Sequence, residues 1–84
     1  MSLIEAVDQQ NEQQVQELLA QSIEVDIQND KGETPLLIAT HQNNVAIAKA
    51  LIDAGADINK QDAIQDSPYL YAGAQGKTEI LAYM

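Results

Sequence analysis

The sequence predicts an all-α fold in which pairs of short helices repeat along a single domain of 84 residues. Three observations carry this prediction. The chain matches itself at a shift of 33 residues. Each Thr-Pro or Ser-Pro pair is followed by apolar residues at helical spacing. Gly or Asn stands where a helix must end, as expected for residues that tolerate the left-handed conformation.

The self-similarity extends along the whole chain without a gap. A shift of 33 residues places Thr34-Pro35 on Ser67-Pro68. A series of this kind rarely arises by chance, so the chain is interpreted as repeated units. The apolar positions that align in all three copies include Leu3, Leu36 and Tyr69, then Ala6, Ala39 and Ala72, and finally Leu18, Leu51 and Met84.

Each unit is predicted to contain two helices. Thr34 is a good N-cap, and Pro35 occupies the first helical position, where its missing N–H costs nothing. This first helix is expected to end at about Thr40 or His41. The second is expected over about Val45–Asp53, followed by Gly55 as a C′ residue. The segment 56–66 is too polar and turn-rich for a helix, and it predicts an extended reversal between units.

The segment "DKGETPLLIATHQNNVAIAKALIDAGADINKQD", residues 30–62, resembles an ankyrin repeat. The resemblance implies a solenoid of stacked helix-turn-helix units joined by β-hairpin-like reversals. The residues that match the family pattern are Thr34, Pro35, Leu36, Ala39, Leu51, Gly55, Ala56, Asp57 and Asn59.

The same resemblance divides the single domain, residues 1–84, into unequal parts. Residues 1–29 are similar to an N-terminal capping repeat, 30–62 to a full repeat, and 63–84 to an incomplete third repeat. Ile80, Leu81 and Met84 are expected to begin a second helix whose continuation is missing. We therefore expect the native chain to continue past Met84.

Several turn positions depart from the family's use of glycine. The second reversal should need a different or strained turn, and the helix that ends at residue 22 should be weaker by up to about 1 kcal/mol. The replacements are Gln65 for Gly32, Ser22 for Gly55, and Gln10 and Asn43 for Gly76.

Composition excludes several classes of function. Four Lys, no Arg and thirteen acidic residues give a net charge of −9, which would repel a nucleic acid. The absence of Cys excludes disulfides and thiolate chemistry. The longest apolar runs are far too short for a membrane span, and no secretory signal is visible in the chain as given. A cytoplasmic location is the default expectation, with no nucleic acid or membrane as partner.

Two residue types that zinc and nucleophilic sites commonly use are scarce, because the chain has one His and no Cys. His41 is the only His, so zinc and Cys–His sites are not expected. Ser67 could formally pair with His41, but its role as a helix cap already explains it. The acidic residues near the reversals do not match a calcium-loop spacing. We predict no catalytic residue, no cofactor and no metal site.

The resemblance implies that another protein contacts the reversals and the ends of the first helices. An acidic surface of this kind suits a basic or strongly polar partner. Two alternatives stay open: an accessory repeat segment of a larger enzyme or regulator, and a metal-dependent hydrolase-like site on the acidic rim. The implied contact residues are Gln28, Asp30, Lys31, Glu33, His41, Gln42, Gln61, Ala63, Ile64, Asp66, Ala74 and Gln75.

Ile64 is the most informative of these residues. It aligns with Lys31, next to the tip of a reversal, where no core is available for an apolar side chain. It could fold back onto a neighbouring side chain, or it could stand exposed as an apolar contact in a polar surround. We favour exposure.

Overall fold

The computed structural model describes residues 2–84, which form six α-helices in three consecutive pairs. The helices are α1 (Leu3–Asp8), α2 (Glu12–Leu19), α3 (Pro35–His41), α4 (Val45–Asp53), α5 (Pro68–Gln75) and α6 (Thr78–Ala82). No β-strand occurs among these described residues. The predicted all-α class is therefore confirmed, and the predicted bounds of α3 and α4 agree with the structure.

The helices form two layers. The first helices of the pairs contact one another in the order α1, α3, α5, and the second helices in the order α2, α4, α6. The interface between the layers holds the core. Met84, expected in the last helix, follows its end instead, and its N–H donates to the carbonyl of Leu81 at 3.0 Å.

Side-chain caps fix where most of the helices begin. The hydroxyls of Thr34 and Ser67 each accept a backbone N–H from the third helical residue at 3.2 Å, as the sequence predicted. Asn11 and Asn44 cap α2 and α4 in the same way, at 3.2 and 3.1 Å. Lys77 supplies no such bond to α6. Each cap satisfies a donor that the helix leaves unpaired.

Small residues allow the first helices to pack closely. Ala6, Ala39 and Ala72 are fully buried at equivalent positions. Leu36 is also fully buried, but its counterpart Tyr69 is 50% exposed. These two residues are therefore aligned in the sequence but differ in how deeply they are buried. The physical reason is that α3 lies between α1 and α5, whereas α5 contacts a first helix on one side only within the described residues.

The two reversals between helix pairs contain the same turn. In the first, the Asn29 side-chain oxygen accepts the N–H groups of Lys31 and Glu33, at 3.0 and 2.9 Å. In the second, Asp62 accepts the N–H groups two and four positions further on, at 3.0 and 2.8 Å. The N–H of Ala63 donates to the carbonyl of Lys31 at 3.0 Å and joins the reversals. We call residues 28–33 and 61–66 the reversal tips.

The positions that lack the family's glycine keep its backbone conformation. Gln65 has a φ of 65°, close to the 76° of Gly32, which confirms the predicted strain in the second reversal. Ser22 has a φ of 57°. A non-glycine residue in this left-handed region costs about 1 kcal/mol because its Cβ crowds a backbone oxygen. The remaining examples among the described residues are Gln10 and Asn43.

Two glycine substitutions should separate crowding from backbone strain. A Cβ added to Gly32 would lie 2.9 Å from the backbone nitrogen of Ala63, whereas one added to Gly55 would meet nothing within 4 Å. Both glycines have a positive φ. We expect Gly55→Ala to lower the free energy of unfolding by about 1 kcal/mol and Gly32→Ala by about 2 kcal/mol or more. Urea unfolding followed by circular dichroism measures both, and equal losses would contradict the crowding argument.

The capping box of α1 should make stability depend on pH. Glu5 accepts the N–H of Ser2 at 3.2 Å, and this backbone hydrogen bond, with a second from the Ser2 hydroxyl, lowers the pKa of Glu5. A pKa that is lower in the folded state than in the unfolded state stabilises the protein at pH values above the unfolded-state pKa. This stabilisation is lost as the pH falls through the folded-state pKa. Glu5→Gln should therefore lower the melting temperature at pH 7, and the loss should shrink in acid. Glu17→Gln is the control for removing one charge, and a loss that stays constant down to acid pH would be the contrary result.

Candidate partner-binding surface

The residues predicted to contact a partner lie mostly at the surface. Nine of the twelve are exposed, and Glu33, Gln42 and Asp66 are half-buried. They occupy two places in the fold: the reversal tips and the ends of the first helices. The structure brings only some of them together.

A cleft of about 340 Å³ lies between the first two helix pairs. Four predicted residues, Lys31, Glu33, His41 and Gln42, line it. The lining also contains Ile4, Asp8, Asn29 and Ile38. The predicted residues outside this lining are Gln28, Asp30, Gln61, Ala63, Ile64, Asp66, Ala74 and Gln75.

His41 connects the cleft to the third helix pair. It is the last residue of α3, and its Nδ1 lies 3.4 Å from Oε2 of Glu33 in the reversal. Its ring contacts the Tyr71 ring edge-on, with centroids 4.3 Å apart and planes at 69°. This confirms the expectation that His41 occupies the exposed end of its helix, on the side of the reversals. Edge-to-face contacts of this type are favourable and directional.

The Glu33 carboxylate is held in place on the cleft wall. Its Oε1 accepts a hydrogen bond from the Asn29 side-chain amide at 3.0 Å, and its Oε2 faces His41. Its own N–H donates to Asn29 at 2.9 Å. Both carboxylate oxygens thus have a neighbour, and the negative charge has a fixed position.

Gln42 carries an unsatisfied acceptor beside the cleft. Its Nε2 donates to the backbone carbonyl of Asp8 at 3.1 Å, which orients the amide. Its Oε1 is buried and accepts no hydrogen bond from any residue in the range 2–84. A buried acceptor without a partner costs on the order of 1–3 kcal/mol. Asp8 is exposed and forms no ion pair within residues 2–84.

Sequence reasoning missed Asp8, although a signal for it existed. The 33-residue shift aligns Asp8 with His41, so the end of α1 is equivalent to the end of α3. The family's contact positions were transferred to the second and third units but not to the first. Ile4 and Ile38 could not be identified in this way, because an apolar residue on a helix gives no sign that it borders a cleft.

Two predicted contact residues also support the reversal tips. The Gln28 side chain donates to the carbonyls of Gly32 at 2.8 Å and of Gln61 at 3.2 Å. One unit later, Gln61 donates to the carbonyl of Gln65 at 3.2 Å. These amides hold each turn in shape, and Gln28 links the two tips.

Ile64 is exposed to 82%, as we favoured from the sequence. Its backbone is fixed all the same, since its N–H donates to the Asp62 carboxylate at 3.0 Å. The other large exposed apolar residues of the described chain are Tyr69, Leu70 and Tyr83, also in the C-terminal part. Ile64 differs from them because it lies at a reversal tip.

Among residues 2–84, no three His, Asp or Glu side chains are grouped so that they could hold a metal ion. None of the helices in the same range has the length and apolar character needed to cross a membrane.

Comparisons with known proteins agree with this architecture. The family profile described as Ankyrin repeats (3 copies) matches residues 3–84. The Ankyrin repeat and KH domain-containing protein mask-1 of Caenorhabditis elegans is 36% identical over 74 residues, which cover 88% of this chain and 3% of that protein.

Two solved structures share the fold closely. The crystal structure of the ankyrin repeat protein EF0377 has a TM-score of 0.95 and 59% identity, covering 98% of this chain and 42% of that one. An ankyrin repeat domain from Acinetobacter baumannii AYE has a TM-score of 0.91 and 46% identity, covering 96% of this chain and 41% of that one. The chain thus spans less than half the length of these relatives.

Proposed function

We propose that this chain, which belongs to the ankyrin-repeat family, is a non-catalytic module that binds another protein through its reversal tips and concave face. Ankyrin repeats are a general protein-protein interaction module. The observation that carries the proposal is a row of exposed side chains on a backbone that hydrogen bonds already hold in place.

A preformed surface supports binding because little has to be ordered when the partner arrives. Asn29 and Asp62 fix the two tips through paired hydrogen bonds to the backbone. Gln28 connects one tip to the next. The entropic cost of ordering a loop on association is thereby reduced.

Ile64 suits the role of an apolar anchor within this surface. It is the large apolar residue of the tips, and its polar neighbours Asp62 and Asp66 resemble the rim of an interface. Binding energy usually concentrates in a few such residues, surrounded by contacts that exclude water.

The charge of the surface favours a basic partner, and neither a nucleic acid nor a membrane is proposed. The net charge is −9, and Asp30, Glu33, Asp62 and Asp66 all lie in the reversal tips. Complementary charge speeds association and selects partners more than it raises affinity.

A second candidate is an accessory repeat segment within a larger enzyme or regulator. The observation that favours it is that the chain spans 3% of mask-1 and 42% of the EF0377 chain. Purification of the protein from its native host, followed by mass spectrometry of intact and associated species, distinguishes a separate module from a segment.

Ile64→Asp tests the anchor. With the partner recovered from the native host, the substitution should weaken binding at least fivefold, and the melting temperature should barely change because the side chain is 82% exposed. Leu70→Asp, at a residue 51% exposed outside the tips, is the matched control and should leave affinity unchanged. A large fall in melting temperature with unaltered affinity would instead assign Ile64 to packing.

Salt should slow the association. An acidic surface attracts a basic partner over distances that ions screen, so the association rate constant should fall several-fold between about 20 mM and 500 mM NaCl. The dissociation rate constant should change less. Stopped-flow or surface-based kinetics measures both, and an association rate constant independent of salt would count against a basic partner.

A further inference from the structure

We propose that the cleft between the first two helix pairs is a pocket for a single lysine side chain of the partner. This inference rests on the proposed function, because it specifies the chemistry by which the concave surface recognises a protein. The lining of the cleft contains two isoleucines, two carboxylates and the side chain of Gln42.

The two isoleucines that line the cleft suit the aliphatic stem of a long side chain. Ile38 is buried, with 6% of its surface exposed, and Ile4 is half-buried. Both line the cleft. Lysine buries its methylene groups along such surfaces and keeps its ammonium at the polar end. The volume of the cleft, about 340 Å³, leaves room for such a side chain.

The acceptors of the cleft suit an ammonium group. Glu33 is fixed by Asn29, and Asp8 has no ion-pair partner within residues 2–84. Gln42 also lines the cleft, and its buried Oε1 accepts no hydrogen bond from the described residues 2–84. An ammonium carries three rotatable donors, which can serve acceptors on different sides of a pocket.

The geometry of Glu33 disfavours a bidentate arginine at that carboxylate. A guanidinium binds most strongly when both oxygens of one carboxylate are free to accept its paired N–H groups. On Glu33, Oε1 already accepts from Asn29, and Oε2 faces His41 at 3.4 Å. The planar fork therefore finds no free pair of oxygens on this carboxylate.

Lys31 should oppose binding. It lines the cleft, forms no ion pair within the described residues 2–84, and carries the same charge as the proposed ligand. Its replacement by a neutral residue should raise affinity. A change of this sign would not result from the loss of an ordinary contact residue.

The test uses short peptides and does not need the natural partner. The blocked peptides acetyl-Gly-Lys-Gly-amide, its norleucine analogue and its arginine analogue are titrated into the protein, and ¹H–¹⁵N spectra are recorded. We expect saturable shifts for the lysine peptide at Asp8, Glu33, His41 and Gln42, weaker shifts for the arginine peptide and none for norleucine. Norleucine has the stem without the charge, so it isolates the role of the ammonium.

Variants then locate the site. Asp8→Asn and Glu33→Gln should each weaken the lysine peptide about fivefold, and Lys31→Gln should tighten it about twofold. Glu17→Gln removes one charge from an exposed position on α2, and it should change affinity little. Unchanged spectral dispersion in each variant shows that the fold is retained.

Two results would contradict the proposal that the cleft binds a lysine side chain. One is an equal response to lysine and norleucine. The other is an equal loss of affinity in Glu17→Gln and Glu33→Gln, which would mean general attraction to an acidic protein. Either result leaves the proposed function standing, because that is tested separately through Ile64 and the recovered partner.

Discussion

The buried hydroxyl at the start of α3 and of α5 is the interaction on which the rest of the structure depends. Thr34 and Ser67 are both about 1% exposed, and each accepts a backbone N–H of the helix that follows. A buried hydroxyl must find such a partner, and the following proline directs the chain into the helix. The cap thus sets the residue at which the reversal ends and the helix begins. The position of that helix in turn determines where the rest of its pair and the neighbouring pairs can pack.

The packing of the helices into two layers depends on the sizes of the side chains between them. The alanines in the middle of the first helices let adjacent pairs approach, and the leucines and isoleucines of α3 and α4 fill the space between the layers. Because each pair contacts mainly the pairs beside it, the architecture is nearly one-dimensional. The same turn therefore occurs in successive units. In each reversal a side-chain oxygen, from Asn29 or Asp62, accepts the backbone N–H four residues further on.

Local signals made most of the fold predictable from the sequence. The limits of α3 and α4 followed from Thr34, Pro35 and Gly55, because caps and breakers act within a few residues. The exposure of Tyr69 did not follow, since burial depends on what packs against a surface and not on the residue itself. The cleft was only half predictable: Glu33 and His41 were found by position, but the unpaired oxygen of Gln42 depends on a side-chain orientation that no periodicity encodes.

The hydrogen bonds that join the two reversal tips have a mechanical consequence. The N–H of Ala63 bonds to Lys31 and the amide of Gln28 reaches Gln61, so neighbouring tips form one stiff edge. A partner that touches both tips meets two contact points at a set spacing. Once the first contact forms, the second is intramolecular and benefits from a high effective concentration, provided the partner's own residues have the same spacing. The spacing of the two tips then helps to select the partner, in addition to the charge of the surface. Two flexible loops could not select a partner by spacing, because their separation would vary.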